Sequence, residues 1–208
     1  MRRFWTTRPL QILFPNLVWR TTSDGVHLTF DDGPDPVATP KVLDLLSQHG
    51  AKATFFLLGS NIEKHPEIAR RASQEGHTLG VHSYDHLRLA FRSRRMIQDQ
   101  IKRTKDAIQS ATGKDATLFR PPFGFFEPSM IKHVTQMGLS TVMWDVDPGD
   151  AMEGNPDLVV ARVSSGVRSG SIILLHDNAN TGERIESTLP RILEILTSRS
   201  LRVLPLSL

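Results

Sequence analysis

Short apolar runs that alternate with helical patterns constrain the fold of this chain more than any other feature. Helical patterns lie between the runs; Thr39-Pro40, for example, resembles an N-cap followed by proline at the first helical position. Such alternation implies a parallel sheet with right-handed crossovers, and about seven units suit an irregular α/β barrel. Strands are predicted near residues 26–30, 54–58, 78–81, 117–119, 140–144, 171–175 and 201–204.

Two adjacent carboxylates, Asp31 and Asp32, follow the first apolar run. Gly33-Pro34 then turns the chain, so the pair is predicted at the carboxyl end of a strand. Because successive side chains project in different directions, one carboxylate can bind a metal while its neighbour handles protons. The alternative is an Asp-rich turn whose carboxylates only accept backbone hydrogen bonds.

Two histidines four residues apart, His82 and His86, favour the metal interpretation. In a helical turn they would lie on one face and converge on one ion, and a carboxylate would complete a three-ligand set with a position open for water. Cysteine is absent, so a thiolate site is excluded. We expect structural roles for the histidines elsewhere, namely His27, His49, His65, His77 and His133.

Two further strand ends carry groups that a hydrolytic centre needs. Arg120 lies in a rigid Arg-Pro-Pro turn and presents a permanent cation that can hold Asp31 ionised, although an arginine that only closes a barrel rim is the alternative. His176 follows a buried apolar run and can act as a general acid for an amine leaving group. The segment 144–150 offers three carboxylates that can keep such an acid protonated, and some of them are expected only to form turns.

Together these motifs resemble the polysaccharide deacetylase, or NodB-homology, domain of carbohydrate esterase family 4. Five family motifs appear in order between residues 29 and 177, so the resemblance extends over nearly the whole chain. It implies a distorted (β/α) barrel. It also implies that Asp31 is the catalytic base, braced by Arg120, and that Asp32, His82 and His86 bind one divalent ion, usually zinc.

The resemblance implies further roles on the substrate side of the site. The backbone N–H of Phe123, which replaces the more usual tyrosine, would help to stabilise a tetrahedral oxyanion. His176 would be the acid, Asp150 the carboxylate that tunes it, and Asp147 a second supporter. Leu174 would line the apolar pocket for the acetyl methyl group.

One position departs from the family pattern. Ala151 stands where a tryptophan usually follows the tuning aspartate and walls the acetyl pocket. Trp144, Phe125 and Met152 are candidates to replace that wall. The departure leaves the expected metal chemistry intact and leaves the acyl-group and substrate specificity open.

The resemblance implies hydrolysis of the acetamide of an N-acetylated amino sugar, such as a chitooligosaccharide or related glycan, with release of acetate. The alternatives are an O-acetyl esterase, an amidohydrolase acting on a non-sugar amide, and a catalytically silent carbohydrate-binding relative. A complete ligand set argues against a metal-independent enzyme, and complete base and acid positions argue against a silent binder.

Charge and the N-terminal segment indicate less. The net charge of +3 is mild, and the basic residues of segment 92–105 are interspersed with acidic ones, which favours a solvated helix face over nucleic-acid binding. Segment 1–20 has no uninterrupted apolar run, so we expect no signal peptide or membrane span and a cytoplasmic location. We expect it to pack on a catalytic domain spanning residues 21–208, with a weak interfacial anchor as the alternative. The oligomeric state stays open.

Overall fold

The computed structural model describes residues 8–208, so residues 1–7 of the predicted N-terminal segment lie outside the described part. Six strands are present in it: β1 His27–Asp31, β2 Thr54–Leu57, β3 Thr78–Val81, β4 Leu118–Phe119, β5 Ser140–Thr141 and β6 Ile172–His176. The α-helices are α1 Arg8–Leu13, α2 Ala38–Gln48, α3 Gly59–Lys64, α4 Pro66–Gln74, α5 Arg94–Thr112, α6 Pro128–Gln136, α7 Pro156–Gly166 and α8 Gly182–Ser198, and a 3₁₀ helix spans Pro122–Gly124.

The strands form one parallel sheet in the order β5-β4-β3-β2-β1-β6. The predicted seventh strand near residues 201–204 is wrong, because Val203 makes only an isolated bridge to Val26. Leu204 N–H donates to Val26 O, but the next N–H on the same side, that of Leu206, donates to the Thr54 hydroxyl at 2.8 Å and does not continue the ladder.

Segment 142–146 connects the two edges of this sheet. It leaves β5 at Val142, which bridges Val18, and reaches β6, where Val146 bridges Ile173. Leu174 N–H donates to Val146 O at 2.9 Å. The expected distorted (β/α) barrel is therefore confirmed, with an irregular closure in place of a seventh strand. The described part of the N-terminal segment lies against this closure, where Leu17 and Trp19 are buried with Met143.

Local sequence signals place most helices. Ser93 caps the start of α5 by accepting a hydrogen bond from Met96 N–H, and Gly113 ends this helix in the left-handed region with φ 73°. Asn155 likewise caps α7 by accepting from Asp157 N–H. None of the helices in residues 8–208 is long and apolar enough to span a bilayer.

The predicted cap of α2 is wrong. The helix begins at Ala38, one residue before Thr39, and the Asp35 carboxylate accepts from the N–H groups of Val37 and Ala38 at 2.8 and 2.7 Å. The Thr39 hydroxyl instead donates to the buried carboxylate of Asp177 at 2.5 Å. A buried acid needs a donor, and α2 supplies it.

Candidate active site

Residues at or directly after the carboxyl ends of four parallel strands meet at one edge of the barrel. Asp31 ends β1 and His176 ends β6, and these two residues are direct partners in the β1–β6 register. His82 follows β3, and Arg120 follows β4. Loops at this edge of a parallel sheet commonly carry the chemistry of α/β folds.

Asp32, His82 and His86 form a group of potential metal ligands. The Oδ1 atom of Asp32 lies 3.2 Å from His86 Nε2 and 3.6 Å from His82 Nε2, and one donor atom from each residue lies within 4.8 Å of the other two. Donors about 2.1 Å from a tetrahedral zinc ion are about 3.4 Å apart, so these separations fit such an ion. Two imidazoles and one carboxylate also suit zinc better than magnesium or calcium, which prefer oxygen ligands.

The two histidines converge through a loop, so the predicted helical turn is wrong. β3 ends at Val81, and Ser83 and His86 then adopt left-handed backbone conformations with φ 70° and 61°. These residues reverse the chain and bring the imidazole rings to a centroid separation of 5.3 Å. His82 Nδ1 lies 2.8 Å from Arg120 O, and donation to this carbonyl leaves the lone pair of Nε2 free for a metal.

Arg120 is completely buried and directly braces Asp31. Its Nη1 donates to Asp31 Oδ1 at 2.8 Å and to the Thr29 hydroxyl at 2.7 Å. Its Nη2 donates to Met143 O at 2.9 Å, and its guanidinium lies 4.1 Å from the ring centre of Phe56. The other oxygen of Asp31, Oδ2, faces His82 Nε2 at 3.7 Å. The arginine thus holds one carboxylate oxygen and leaves the second directed towards the ligand group.

His176 and Asp150 form a doubly hydrogen-bonded pair. Asp150 Oδ1 lies 2.9 Å from His176 Nδ1, and Asp150 Oδ2 accepts from the His176 backbone N–H at 2.8 Å. Burial lowers the pKa of His176, but the hydrogen bond and charge of Asp150, with the charges of Asp31 and Asp32, raise it to about 9. The imidazole is therefore held as a cation near neutral pH, with Nε2 as the ring nitrogen that Asp150 does not contact.

The other two carboxylates of segment 144–150 form their hydrogen bonds away from His176. Asp147 accepts from Gly149 N–H at 2.8 Å, as expected of a turn former, and within residues 8–208 it makes no hydrogen bond to His176. Burial raises the pKa of Asp147. Asp145 accepts from Ser171 and from Ile172 N–H, which ties the barrel closure to the start of β6.

The predicted substrate-side residues also lie near this edge. Phe123 sits in the 3₁₀ helix with φ 59°, and its ring centre is 4.4 Å from that of His86. Among the described residues, no hydrogen bond uses the Phe123 N–H. Leu174 is buried in β6 opposite Thr29. Trp144, one of the candidates to replace the missing tryptophan, packs closely on Gly124. A Cβ added at Gly124 would lie 2.6 Å from the Trp144 indole.

Sequence reasoning missed two amides that hold Asp32. Asn178 Nδ2 donates to Asp32 Oδ2 at 2.8 Å, and Asn61 Nδ2 donates to the Asp32 backbone carbonyl at 2.9 Å. Asp177, the residue after His176, is completely buried, and burial raises its pKa well above the ordinary value. The position of Asn178 two residues after His176 was a signal, but nothing local in the sequence indicates that its side chain turns towards β1.

The sequence of this chain is similar to that of a known protein family. A family model described as polysaccharide deacetylase matches residues 20–142, which is more than half of the chain. This chain belongs to the polysaccharide deacetylase family. The match includes the ends of β1, β3 and β4, where the three ligands, Asp31 and Arg120 lie.

This polysaccharide deacetylase domain is 36% identical over 185 residues to the peptidoglycan-N-acetylglucosamine deacetylase PgdA of Listeria monocytogenes. That match covers 88% of the chain but only 39% of the relative, so the chain spans well under half of that protein's length.

Among solved structures, a peptidoglycan N-acetylglucosamine deacetylase in complex with 4-naphthalen-1-yl-N-oxidanyl-benzamide superposes with a TM-score of 0.89 at 32% identity, covering 99% of this chain and 95% of the other. A CE4 family pseudoenzyme from Bacillus anthracis superposes with a TM-score of 0.81 at 29% identity, covering 89% and 65%. Because a pseudoenzyme shares this fold, the fold alone does not indicate activity, and only the residues of the site can do so.

Proposed function

We propose that this polysaccharide deacetylase domain hydrolyses the acetamide of an N-acetylated amino sugar and releases acetate. The observation that carries the proposal is one cluster of side chains at the barrel edge. There, a group of three potential metal ligands lies beside an aspartate that a buried arginine braces. A histidine that is held as a cation stands opposite this aspartate on the neighbouring strand. The substrate class is supported by the relatives whose names specify N-acetylglucosamine deacetylases.

The proposed cofactor is one zinc ion held by Asp32, His82 and His86. Zinc bound there would supply a Lewis acid that lowers the pKa of water and polarises an acyl carbonyl. The donor set of two imidazole nitrogens and one carboxylate oxygen supports zinc as the metal.

Asp31 is the proposed general base. Its Oδ1 is engaged by Arg120, so the arginine fixes the carboxylate orientation. Its Oδ2 points towards the ligand group and is the oxygen placed to take a proton from an attacking water.

The Phe123 backbone N–H is the proposed donor to the oxyanion that forms when water adds to the acetyl carbonyl. Phe123 has a left-handed backbone conformation, and its ring centre lies 4.4 Å from that of His86. No described residue accepts a hydrogen bond from its peptide N–H. Because a backbone group supplies this hydrogen bond, replacement of the family's usual tyrosine by phenylalanine leaves the donor in place.

His176 is the proposed general acid, and Asp150 keeps it protonated and oriented. As the C–N bond breaks, His176 gives its proton to the departing sugar nitrogen, which leaves as a neutral amine, and the acyl carbon retains the oxygen of water as acetate. This arrangement favours amide over ester substrates. An amine is a poor leaving group unless protonated, whereas an alcohol leaves with less assistance, so a strongly held acid matters more for an acetamide.

Acetate release from chitooligosaccharides by metal-stripped protein, measured before and after zinc addition, tests the proposal. We expect zinc to restore release in the wild type but not in Asp31→Asn or His82→Ala. The matched control is His49→Ala, because His49 is exposed at the carboxyl end of α2, away from the carboxyl ends of the strands. Tight zinc binding without release from any acetamido sugar would refute deacetylation and favour a carbohydrate-binding role. Release from O-acetyl sugars alone would favour the esterase alternative.

A further inference from the structure

The carboxylate of Asp32 is held on the side that faces away from the two histidines. Its Oδ1 faces His86 Nε2 and His82 Nε2, while its Oδ2 accepts from Asn178 Nδ2 at 2.8 Å. A carboxylate bound through one oxygen can rotate about its Cβ–Cγ bond and exchange its two oxygens. The Asn178 amide gives the two oxygens different environments, so only Oδ1 remains directed at the ligand position.

Asn178 is itself fixed within the loop that follows β6. Its Oδ1 accepts from Asn180 N–H at 3.0 Å, and its own N–H donates to the Thr181 hydroxyl at 3.2 Å. The Thr181 hydroxyl in turn donates to the His176 carbonyl at 2.7 Å. With its amide oxygen engaged by an N–H donor, the NH₂ group of Asn178 must face Asp32, which matches the acceptor character of a carboxylate.

The backbone of Asp32 needs support of this kind. Asp32 has φ 80°, in the left-handed region that non-glycine residues rarely adopt, and Asn61 Nδ2 holds its carbonyl at 2.9 Å. Asn61 therefore holds the peptide group and Asn178 holds the side chain, from two elements far from Asp32 in sequence.

We propose that Asn178 is a positioning residue for the metal site, acting through Asp32 to set zinc affinity. The inference rests on the metal ligands of the proposed function but not on the reaction catalysed there. A hydrogen-bond partner behind a ligand typically changes metal affinity 10- to 100-fold when it is removed, and we expect a loss of about that size. Because this loop begins directly after His176, it links the geometry of the acid to that of the ligand.

The competing explanation is that Asn178 only shapes its turn. Asn178→Ser separates the two, because a serine hydroxyl can still accept from the N–H two residues later but is too short to reach Asp32. Asn180→Ser is the matched control, since it makes the same chemical change in the same loop at an exposed side chain. Asn178→Ala removes both functions and serves as a second variant.

The measurement is the zinc dissociation constant of the metal-stripped full chain, by competition with a chromogenic chelator, together with the apo-protein thermal midpoint. We expect Asn178→Ser and Asn178→Ala to weaken zinc binding about 10- to 100-fold, with Asn180→Ser close to wild type. Equal affinity for Asn178→Ser and wild type, or equal losses for Asn178→Ser and Asn180→Ser, would overturn the inference. Asp32→Asn distinguishes failure of the Asn178 inference from failure of the proposed metal site. If Asp32→Asn binds zinc as tightly as wild type, the metal site of the proposed function is refuted as well.

Discussion

Replacing Asp150 by asparagine tests whether the charge behind His176 controls catalysis. The substitution keeps the size of the side chain but removes its charge, and an amide can accept from only one of the two N–H groups that the carboxylate now satisfies. Burial, which lowers the pKa of His176, would then lose its main opposing influence. The pKa of His176 should fall.

The structure sets the size of this effect. In the wild type the pKa of His176 is raised from 6.5 to about 9, a difference that corresponds to about 3 kcal/mol in favour of the cation. If the variant returns to about 6.5, the protonated fraction at pH 8 falls from about nine-tenths to about one-thirtieth, whereas at pH 6 most of the imidazole stays protonated in both proteins. The activity of Asp150→Asn relative to wild type should therefore be about 20-fold lower at pH 8 than at pH 6.

The assay is the pH dependence of kcat/KM for acetate release by the zinc-loaded enzyme, compared between the two proteins. An acid must be protonated to act, so activity is lost as pH rises through the pKa of His176, and the alkaline limb should move to lower pH by at least about one unit in the variant. A bound divalent ion lowers the pKa of His176 in both proteins, so the separation of the two limbs is the quantity to compare. Asp147→Asn is the matched control, because Asp147 bonds to Gly149 and should shift the limb less. Coincident limbs for Asp150→Asn and wild type would refute the role of Asp150.

Three further predictions concern stability, each measured by urea unfolding. Arg120→Met should destabilise the fold by about 3–5 kcal/mol, because it leaves the buried Asp31 carboxylate without its cation; an unchanged midpoint would contradict this. Gly80→Ala should cost about 1–3 kcal/mol, because the added Cβ would lie 2.6 Å from Phe56, whereas Gly154→Ala, with open space, should be near neutral; equal effects would contradict it. Burial of His77 lowers its pKa to about 4, so the buried neutral imidazole contributes its full stability above pH 6.5. This contribution, at most about 3 kcal/mol, should be lost as the pH falls towards 4. A His77→Gln protein with the same pH dependence would refute it.

Local chemistry made several features predictable from the sequence. A helix cap forms between residues three positions apart, so Ser93 and Gly113 mark the ends of α5 without reference to the rest of the chain. The apolar runs that end at Asp31, Arg120 and His176 likewise predict strand ends, because parallel strands place such residues at one edge. The clustering of these side chains was therefore foreseeable.

Contacts between distant segments were not foreseeable in the same way. Thr39 reads locally as a helix cap, but Asp177, 138 residues away, engages its hydroxyl. His82 and His86 have helical spacing, but the end of β3 and two left-handed residues place them in a loop. Contacts between distant segments also explain why the predicted seventh strand is wrong, because the barrel closes through segment 142–146 instead.

The residues that stand at the carboxyl ends of the strands are evident from the amino-acid sequence, because those signals come from neighbouring residues and the period of apolar side chains. How these side chains are held depends on the packing of distant segments, which sets Arg120 on Asp31, Asp150 on His176, and Asn178 on Asp32 across 146 residues. A buried polar group forms its hydrogen bond with the donor or acceptor that the packing brings within about 3 Å, because an unpaired buried group is costly. Crossover connections bring those partners together from elements that share no local pattern.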